Sequence, residues 1–114
     1  LKKSYFIKSV NFIRNKYGNL PVVLFSDDHK WLNINLKEFI PNSIVFSSDS
    51  ISAEEDLFYM TKARFFILSN STFSWWAAFL STKKNKFIIV PKYWFNKVKT
   101  SQKYIYKNWN YKII

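Results

Sequence analysis

The sequence has no cysteine, one histidine and one glycine, and these absences exclude several kinds of site. Without cysteine there is no disulfide framework, thiolate metal site or cysteine nucleophile, and a lone histidine, His29, cannot form a multi-histidine metal site. A lone glycine, Gly18, leaves no glycine-rich turn for a dinucleotide and no P-loop. No apolar run approaches the ~20 residues that a membrane span needs. What remains is one α/β or α+β domain without a metal centre of its own.

Acidic residues are absent from the second half of the chain. The 114 residues include 18 Lys and Arg against 7 Asp and Glu, a formal net charge of +11. All seven acids lie at or before Asp56, whereas eleven bases and no acid follow from Leu57 onward. A basic half suits an anionic partner such as a nucleotide, a nucleic acid or a membrane surface. The alternative is compositional drift in a sequence rich in Lys, Asn and Ile, and drift is favoured over a dedicated nucleic-acid function.

Hydrophobic periodicity predicts several helices. Apolar positions recur at helical spacing within residues 6–17, and Gly18 is expected to end that helix. Ser52 and Glu55 match a capping box, with Ser52 as the N-cap of a second helix. The segment 73–80 is apolar on both helical faces, which is typical of a helix in an interior or at an interface.

Four short apolar runs predict β-strands of the kind found in buried parallel sheets. A further helix of one or two turns is expected at 31–39, and no clear period follows Pro91. Strands that alternate with helices indicate an α/β fold with a doubly wound parallel sheet. The predicted strands of this one sheet lie at 22–25, 43–46, 65–68 and 87–90.

Polar clusters follow three of the predicted strands. They lie at 26–28, 47–49 and 69–72, and ligands of open α/β sheets bind at the carboxyl ends of the strands. In the third cluster a strand leads through small hydroxyl residues into the first turn of a helix. Free backbone N–H groups and the positive end of the helix dipole make such a turn suited to phosphate. The alternative is that Ser71 or Thr72 is only an N-cap and that Trp75 and Trp76 only pack in the core.

Four segments, in order, resemble the α-1,2-fucosyltransferases of glycosyltransferase family 11. The most specific is NSTFSWWAAFL at 70–80, which is similar to a signature segment of that family. The others are LFSDD at 24–28 with Trp31, DLFYMTKA at 56–63 and IVPKYWF at 89–95. The resemblance implies a Rossmann-like parallel sheet flanked by helices, similar to the C-terminal half of a GT-B glycosyltransferase. It covers most of the chain, from about Tyr5 to Phe95.

The resemblance also implies an activity and a set of partners. Such enzymes transfer fucose from GDP-fucose to a galactoside hydroxyl, with inversion and without a metal ion or other cofactor. Residues 1–114 are then expected to be a single donor-binding domain, a fragment that lacks the acceptor-binding N-terminal half. The family's His-x-Arg-Arg motif has no counterpart, because Lys30 and Trp31 follow His29 and the two arginines stand apart. Little or no fucosyl transfer is therefore expected from this chain alone.

Site residues carried over from the resemblance bind the donor, and none is assigned as the catalytic base. A carboxylate can accept both adjacent donors of guanine, a role expected for Asp56, and the alternative is a first-turn acid favoured by the helix dipole. Asp27 or Asp28 is expected to orient the ribose or a loop, with a turn cap as the favoured alternative. The diphosphate is assigned to Ser71, Thr72 and the N–H groups of Thr72 and Phe73. Asn70 is expected either to fix the loop or to contact the same anion.

Two functional readings from different classes remain. The first is the donor-binding part of an α-1,2-fucosyltransferase in glycan or surface-polysaccharide synthesis, with GDP-fucose and a galactose-terminated glycan as partners. The expected location of this enzyme part is the bacterial cytoplasm, and peripheral association with the membrane is a further possibility left open. The second is a basic α/β module that binds nucleic acid through its Lys- and aromatic-rich tail, which contains Tyr104, Tyr106, Trp109 and Tyr111.

Overall fold

The structure, a computed structural model, describes residues 1–46, 52–95, 98–99 and 105–114. Contacts divide the chain into two compact units. The first unit is Lys2–Ile51, and the second is Ser52–Ile114 together with Leu1. Each unit is an α/β arrangement of its own, and each is described separately below. The polar cluster predicted at 47–49 and the tail residue Tyr104 lie outside the described residues.

The first unit opens with a long amphipathic helix, α1 (Lys3–Tyr17). Of the apolar positions predicted at helical spacing, Val10 and Ile13 are buried, whereas Phe6 and Tyr17 are half-buried and Tyr5 is buried in place of Phe6. Gly18 ends the helix with a φ of 100° and a ψ of 178°, and its N–H donates to the Arg14 carbonyl at 2.9 Å. Glycine adopts this backbone conformation without a side-chain clash, which is why the helix ends there.

Two short parallel strands follow α1 in the first unit. Strand β1 (Val22–Leu24) pairs in parallel with β2 (Ser43–Val45), and Val23 lies opposite Ile44. Between them the chain forms α2 (His29–Leu32), which continues into a π-helical turn, Asn33–Lys37. The helix predicted at 31–39 therefore exists, but it begins two residues earlier and ends as a wider turn.

The second unit contains a three-stranded parallel sheet. Its elements are α3 (Ala53–Met60), β3 (Phe65–Ile67), α4 (Thr72–Leu80), β4 (Phe87–Val90), β5 (Tyr93–Phe95), β6 (Val98–Lys99) and β7 (Tyr111–Ile113). Strand β4 lies in the middle, parallel to both β3 and β7. Strands β5 and β6 form a separate antiparallel pair. The sequence did not predict β5, β6 or β7, because they lie in the tail that lacks a clear period.

The core of the second unit lies around β4, whose four residues are all buried. Helix α4 buries its small side chains, Ser74, Ala77 and Ala78. Because these side chains are small, the helix can pack closely against the core around β4. The prediction of a helix in an interior or at an interface is therefore only half right, because Trp75 packs against the core whereas Trp76 and Leu80 are exposed. The buried core cluster comprises Phe66, Leu68, Ala77, Ala78, Ile88, Val90, Trp94, Ile105 and Trp109.

The parallel pairing of the strands is confirmed, whereas a single four-stranded sheet is not observed. Among the described residues, backbone hydrogen bonds join β1 to β2, and separately β3 to β4 and β7. The sheets are parallel and flanked by helices, as an α/β fold requires. The apolar runs correctly located the strands, but a run of apolar residues carries no information about which neighbour a strand pairs with.

Candidate functional site

The turn between β3 and α4 is fixed first by Ser71. Its hydroxyl oxygen accepts hydrogen bonds from the N–H groups of Phe73 at 3.1 Å and Ser74 at 3.4 Å. Ser71 has the extended backbone of an N-cap, with a φ of −134° and a ψ of 140°. The N-cap interpretation of Ser71 is confirmed. It follows that the Phe73 N–H, assigned to the diphosphate from the sequence, is already used by the cap.

Ser74 fixes the same turn from the inside of the unit. Its buried hydroxyl lies 3.1 Å from the Ser69 carbonyl and 3.0 Å from the Ser71 carbonyl, and it can donate its single proton to both. The Ser69 hydroxyl lies 3.4 Å away and donates to the Ser74 oxygen. These contacts tie the end of β3 to the first turn of α4. No role for Ser74 was assigned from the sequence, although a small polar residue three positions after an N-cap within an aromatic run was a usable signal.

The two bound carbonyls determine where the neighbouring N–H groups point. A trans peptide places its N–H opposite its carbonyl, and none of the described peptides is cis. Because the carbonyls of Ser69 and Ser71 point toward Ser74, the N–H groups of Asn70 and Thr72 point away from it. Within the described part of the chain, neither N–H donates to another residue. Asn70 and Thr72 are both exposed, so these two donors are accessible at the positive end of α4.

Asp56 lies in the first turn of α3, which packs against α4. The Ser52 hydroxyl accepts a hydrogen bond from the Glu55 N–H at 3.2 Å, so the predicted cap at Ser52 is confirmed. The Asp56 N–H donates to the Ser52 carbonyl at 3.0 Å, and the residue is half-buried. Three acids, Glu54, Glu55 and Asp56, occupy this first turn, where the helix dipole favours negative charge. Asp56 therefore has a structural role at the start of α3, and its contact with guanine stays a prediction.

Asp27 and Asp28 belong to the first unit, whereas Asp56 and residues 70–73 belong to the second. The Asp28 carboxylate accepts the Trp31 N–H at 3.0 Å and so caps α2. The Ser26 hydroxyl accepts the Asp28 N–H at 3.1 Å. The capping interpretation is therefore confirmed for Asp28. Asp27 is exposed at the same turn, and its proposed contact with a ribose stays a prediction.

Both arginines of the chain bind backbone carbonyl groups. The Arg14 guanidinium donates to the carbonyl oxygen of Leu20 at 2.9 Å and to that of Pro41 at 2.6 Å. Arg64 donates to the Asn85 carbonyl at 3.0 Å, and its guanidinium carbon lies 4.8 Å from the centre of the Phe65 ring. These contacts give both side chains structural roles, which agrees with the lack of an arginine pair in the sequence.

Lys86 supports the opposite end of α4. Its ammonium group donates to the carbonyls of Ala78 and Ser81, each at 2.8 Å, where the helix dipole is negative. Burial lowers the pKa of Lys86. Among the described residues, no group of three or more His, Asp or Glu side chains could hold a metal ion. The same residues include no helix long and apolar enough to cross a bilayer.

Comparison with known proteins identifies the family of this α/β chain. The sequence model of the family described as Glycosyl transferase family 11 matches residues 2–113. The chain therefore belongs to glycosyltransferase family 11, as the resemblance of its motifs indicates.

Two Escherichia coli relatives have names that agree with this family. One, named O-antigen biosynthesis glycosyltransferase WbnK, is 33% identical over 95 residues, or 83% of this chain and 32% of the relative. The other, named alpha-1,2-colitosyltransferase, is 32% identical over 99 residues, or 82% of this chain and 32% of the relative. The chain thus spans about a third of the length of these relatives. No solved structure matches the chain.

Proposed function

We propose that this chain is the donor-binding part of an α-1,2-fucosyltransferase, which transfers fucose from GDP-fucose to a galactoside hydroxyl in surface-glycan synthesis. Membership of glycosyltransferase family 11 supports transfer of a sugar. The observation that carries the donor-binding role is the turn at 69–72, where two accessible N–H groups meet the N-terminus of α4. Family membership also favours an enzyme over a nucleic-acid-binding module.

In this proposal the turn binds the diphosphate of the donor. The N–H groups of Asn70 and Thr72 donate to phosphate oxygens, and the dipole of α4 favours the negative charge. The hydroxyls of Ser71 and Thr72 add two further donors, since the cap at Ser71 uses only its oxygen as an acceptor. Asn70 takes the place of Phe73 among the backbone donors, because the Phe73 N–H is used by the cap.

The guanine base is assigned to an acidic side chain of the same unit. The Asp56 carboxylate accepts the N1–H and the exocyclic amine of guanine, a pair of adjacent donors that adenine and uracil do not present. This contact distinguishes the nucleotide, whereas phosphate contacts at 70–72 hold any nucleoside diphosphate.

The proposed reaction is a direct displacement at the anomeric carbon without a metal ion. The acceptor hydroxyl forms the new C–O bond, the bond to the diphosphate breaks, and GDP leaves with the electron pair. The turn at 69–72 stabilises the negative charge that develops on the departing diphosphate. No residue of the chain is assigned as the base that takes the acceptor proton. We place this reaction in the bacterial cytoplasm.

A second donor sugar is favoured by one finding. A relative that is 32% identical over 99 residues is named as a colitosyltransferase, so colitose is the alternative to fucose. The diphosphate turn and Asp56 would serve either donor, because the two proposals differ only in the sugar. Competition between nucleotide-activated fucose and colitose for one binding site distinguishes them.

Calorimetric titration of GDP, ADP and UDP tests the proposed donor site. We expect GDP to bind more tightly than ADP and UDP. In a double variant, Ser71→Gly with Thr72→Val, all three affinities are expected to fall together. Glycine is tolerated at an N-cap and valine keeps the shape of threonine, so this variant removes hydroxyls with little loss of fold. Equal affinities that fall steeply with salt would contradict the proposal and favour nonspecific anion binding.

A further inference from the structure

The outer side of α4 carries a cluster of exposed large apolar residues. We call it the aromatic patch and define it as Trp76, Phe79, Leu80 and Tyr106, which are 48%, 36%, 47% and 37% exposed. Edge-to-face ring contacts connect its members. The ring centroids of Trp76 and Phe79 lie 5.5 Å apart, and those of Phe79 and Tyr106 lie 5.1 Å apart. The patch is therefore continuous from the helix to the segment 105–114.

The patch results from how α4 packs. The helix turns Ser74, Ala77 and Ala78 toward the core and packs Trp75 against it. Trp76, Phe79 and Leu80 remain on the surface. Single exposed apolar residues are ordinary, but a connected group of this size marks an interaction surface. On its inner side the aromatic patch contacts the core, because Phe79 stacks on Trp75 with ring centroids 5.3 Å apart, whereas its outer side is exposed.

Positive charge borders the aromatic patch. Lys83 and Lys84 follow α4 directly, Lys107 adjoins Tyr106, and all three are exposed. Among the described residues none of the three forms an ion pair, and no acid follows Asp56 in the sequence. Lys86 differs, since its ammonium group is bound to two carbonyls at the end of α4. Three lysines without an ion pair favour a partner with negative charge at its surface. The exposed aromatic rings favour a partner that also offers an apolar layer.

We propose that the aromatic patch, with Lys83, Lys84 and Lys107, is a docking surface for an anionic lipid bilayer. Trp and Tyr side chains are favoured at the boundary between headgroups and acyl chains, and Leu80 can enter the apolar layer. The lysines then lie at the level of the anionic headgroups, where each raises binding about fivefold. The rings of the patch contact one another edge to face, so fewer ring faces are open for stacking nucleic-acid bases. This surface shares no residue with the proposed donor site.

Vesicle flotation with the purified chain tests the docking surface. We expect binding to phosphatidylcholine vesicles that contain phosphatidylglycerol, and much weaker binding to phosphatidylcholine alone. Lys83→Gln with Lys84→Gln should reduce binding about 25-fold, from about fivefold for each lysine. The matched control, Lys30→Gln with Lys37→Gln, removes the same charge from exposed positions of the first unit and should reduce binding far less.

A second pair of variants tests the apolar part of the aromatic patch. Trp76→Ser with Leu80→Ser should reduce binding to the anionic vesicles about tenfold or more. Its control, Ile34→Ser with Phe39→Ser, removes two residues of similar exposure, 54% and 49%, and should leave binding unchanged. Circular dichroism checks that each variant is folded, and the lysine pair keeps the test decisive if the apolar pair unfolds.

Three outcomes would overturn the proposal. The first is an absence of binding by the wild-type chain to anionic vesicles. The second is an equal loss of binding in the patch variants and their controls, which would indicate attraction by net charge alone. The third is a wild-type dimer that Trp76→Ser with Leu80→Ser converts to a monomer without any vesicle binding, which would assign the patch to a second copy of the chain.

Discussion

Replacing Ser74 by alanine tests whether the buried hydroxyl positions the diphosphate turn. The change removes the donor to the carbonyls of Ser69 and Ser71, at 3.1 and 3.0 Å. The Ser71 carbonyl keeps a hydrogen bond from the Trp75 N–H at 3.3 Å, so the loss falls mainly on Ser69. The peptide that carries the Asn70 N–H is then free to rotate, and that donor loses its fixed direction.

The structure sets the size of the expected effects. One buried hydrogen bond and one carbonyl left without it cost about 1–2 kcal/mol of folding free energy. For a domain of this size that corresponds to a fall in Tm of roughly 5 °C. If the turn binds the diphosphate, the affinities for GDP, ADP and UDP should also fall together by about five- to tenfold, or about 1 kcal/mol.

Ser81→Ala is the matched control for this experiment. Ser81 follows the same helix and is similarly buried, and its hydroxyl donates to the Ala63 carbonyl at 2.9 Å, away from the turn. We expect a comparable fall in Tm with unchanged nucleotide affinities. Thermal unfolding and calorimetric titration of both variants give the two measurements. Unchanged affinities in Ser74→Ala, or equal losses in both variants, would refute the positioning role of Ser74.

Three further predictions concern the base, the activity and the fold. Asp56→Asn should reduce the preference for GDP over ADP about ten- to hundredfold, with a smaller change in the affinity for ADP. Competition titrations that show an unchanged preference would exclude the guanine contact. The 114-residue chain alone should transfer little or no fucose from GDP-fucose to a galactoside, because it spans only about a third of the length of its relatives. Robust turnover in a product assay would disprove this prediction. Gly18→Ala should cost about 1–3 kcal/mol of unfolding free energy in urea titrations. The added Cβ meets no atom within 4 Å, so the cost is backbone strain at a φ of 100°, and Asn19→Ala, next along the chain, should change stability much less.

The local elements of this protein were predictable because their signals are local. Gly18 ends α1, Ser52 begins α3 and Ser71 begins α4, each through a hydrogen bond or backbone conformation within a few residues. The apolar runs that form β1 to β4 were likewise recognisable, since each lies in a few consecutive residues. The family was recognisable for the same reason, because its signature is one continuous segment at 70–80.

Longer-range arrangements were decided only by the tertiary structure. Strand β7 pairs with β4 across more than twenty residues, and its sequence has no period that would indicate a strand. The buried face of α4 is another case, since both faces are apolar and the fully buried β4 selects the small residues Ala77 and Ala78 for close approach. The role of Ser74 depends on a folded turn that brings two carbonyls to one hydroxyl. The amino-acid sequence thus determined the helices, the strands β1 to β4, the caps and the family. The strands β5 to β7, the strand partners and the direction of each side chain and N–H group followed from packing between residues far apart in the chain.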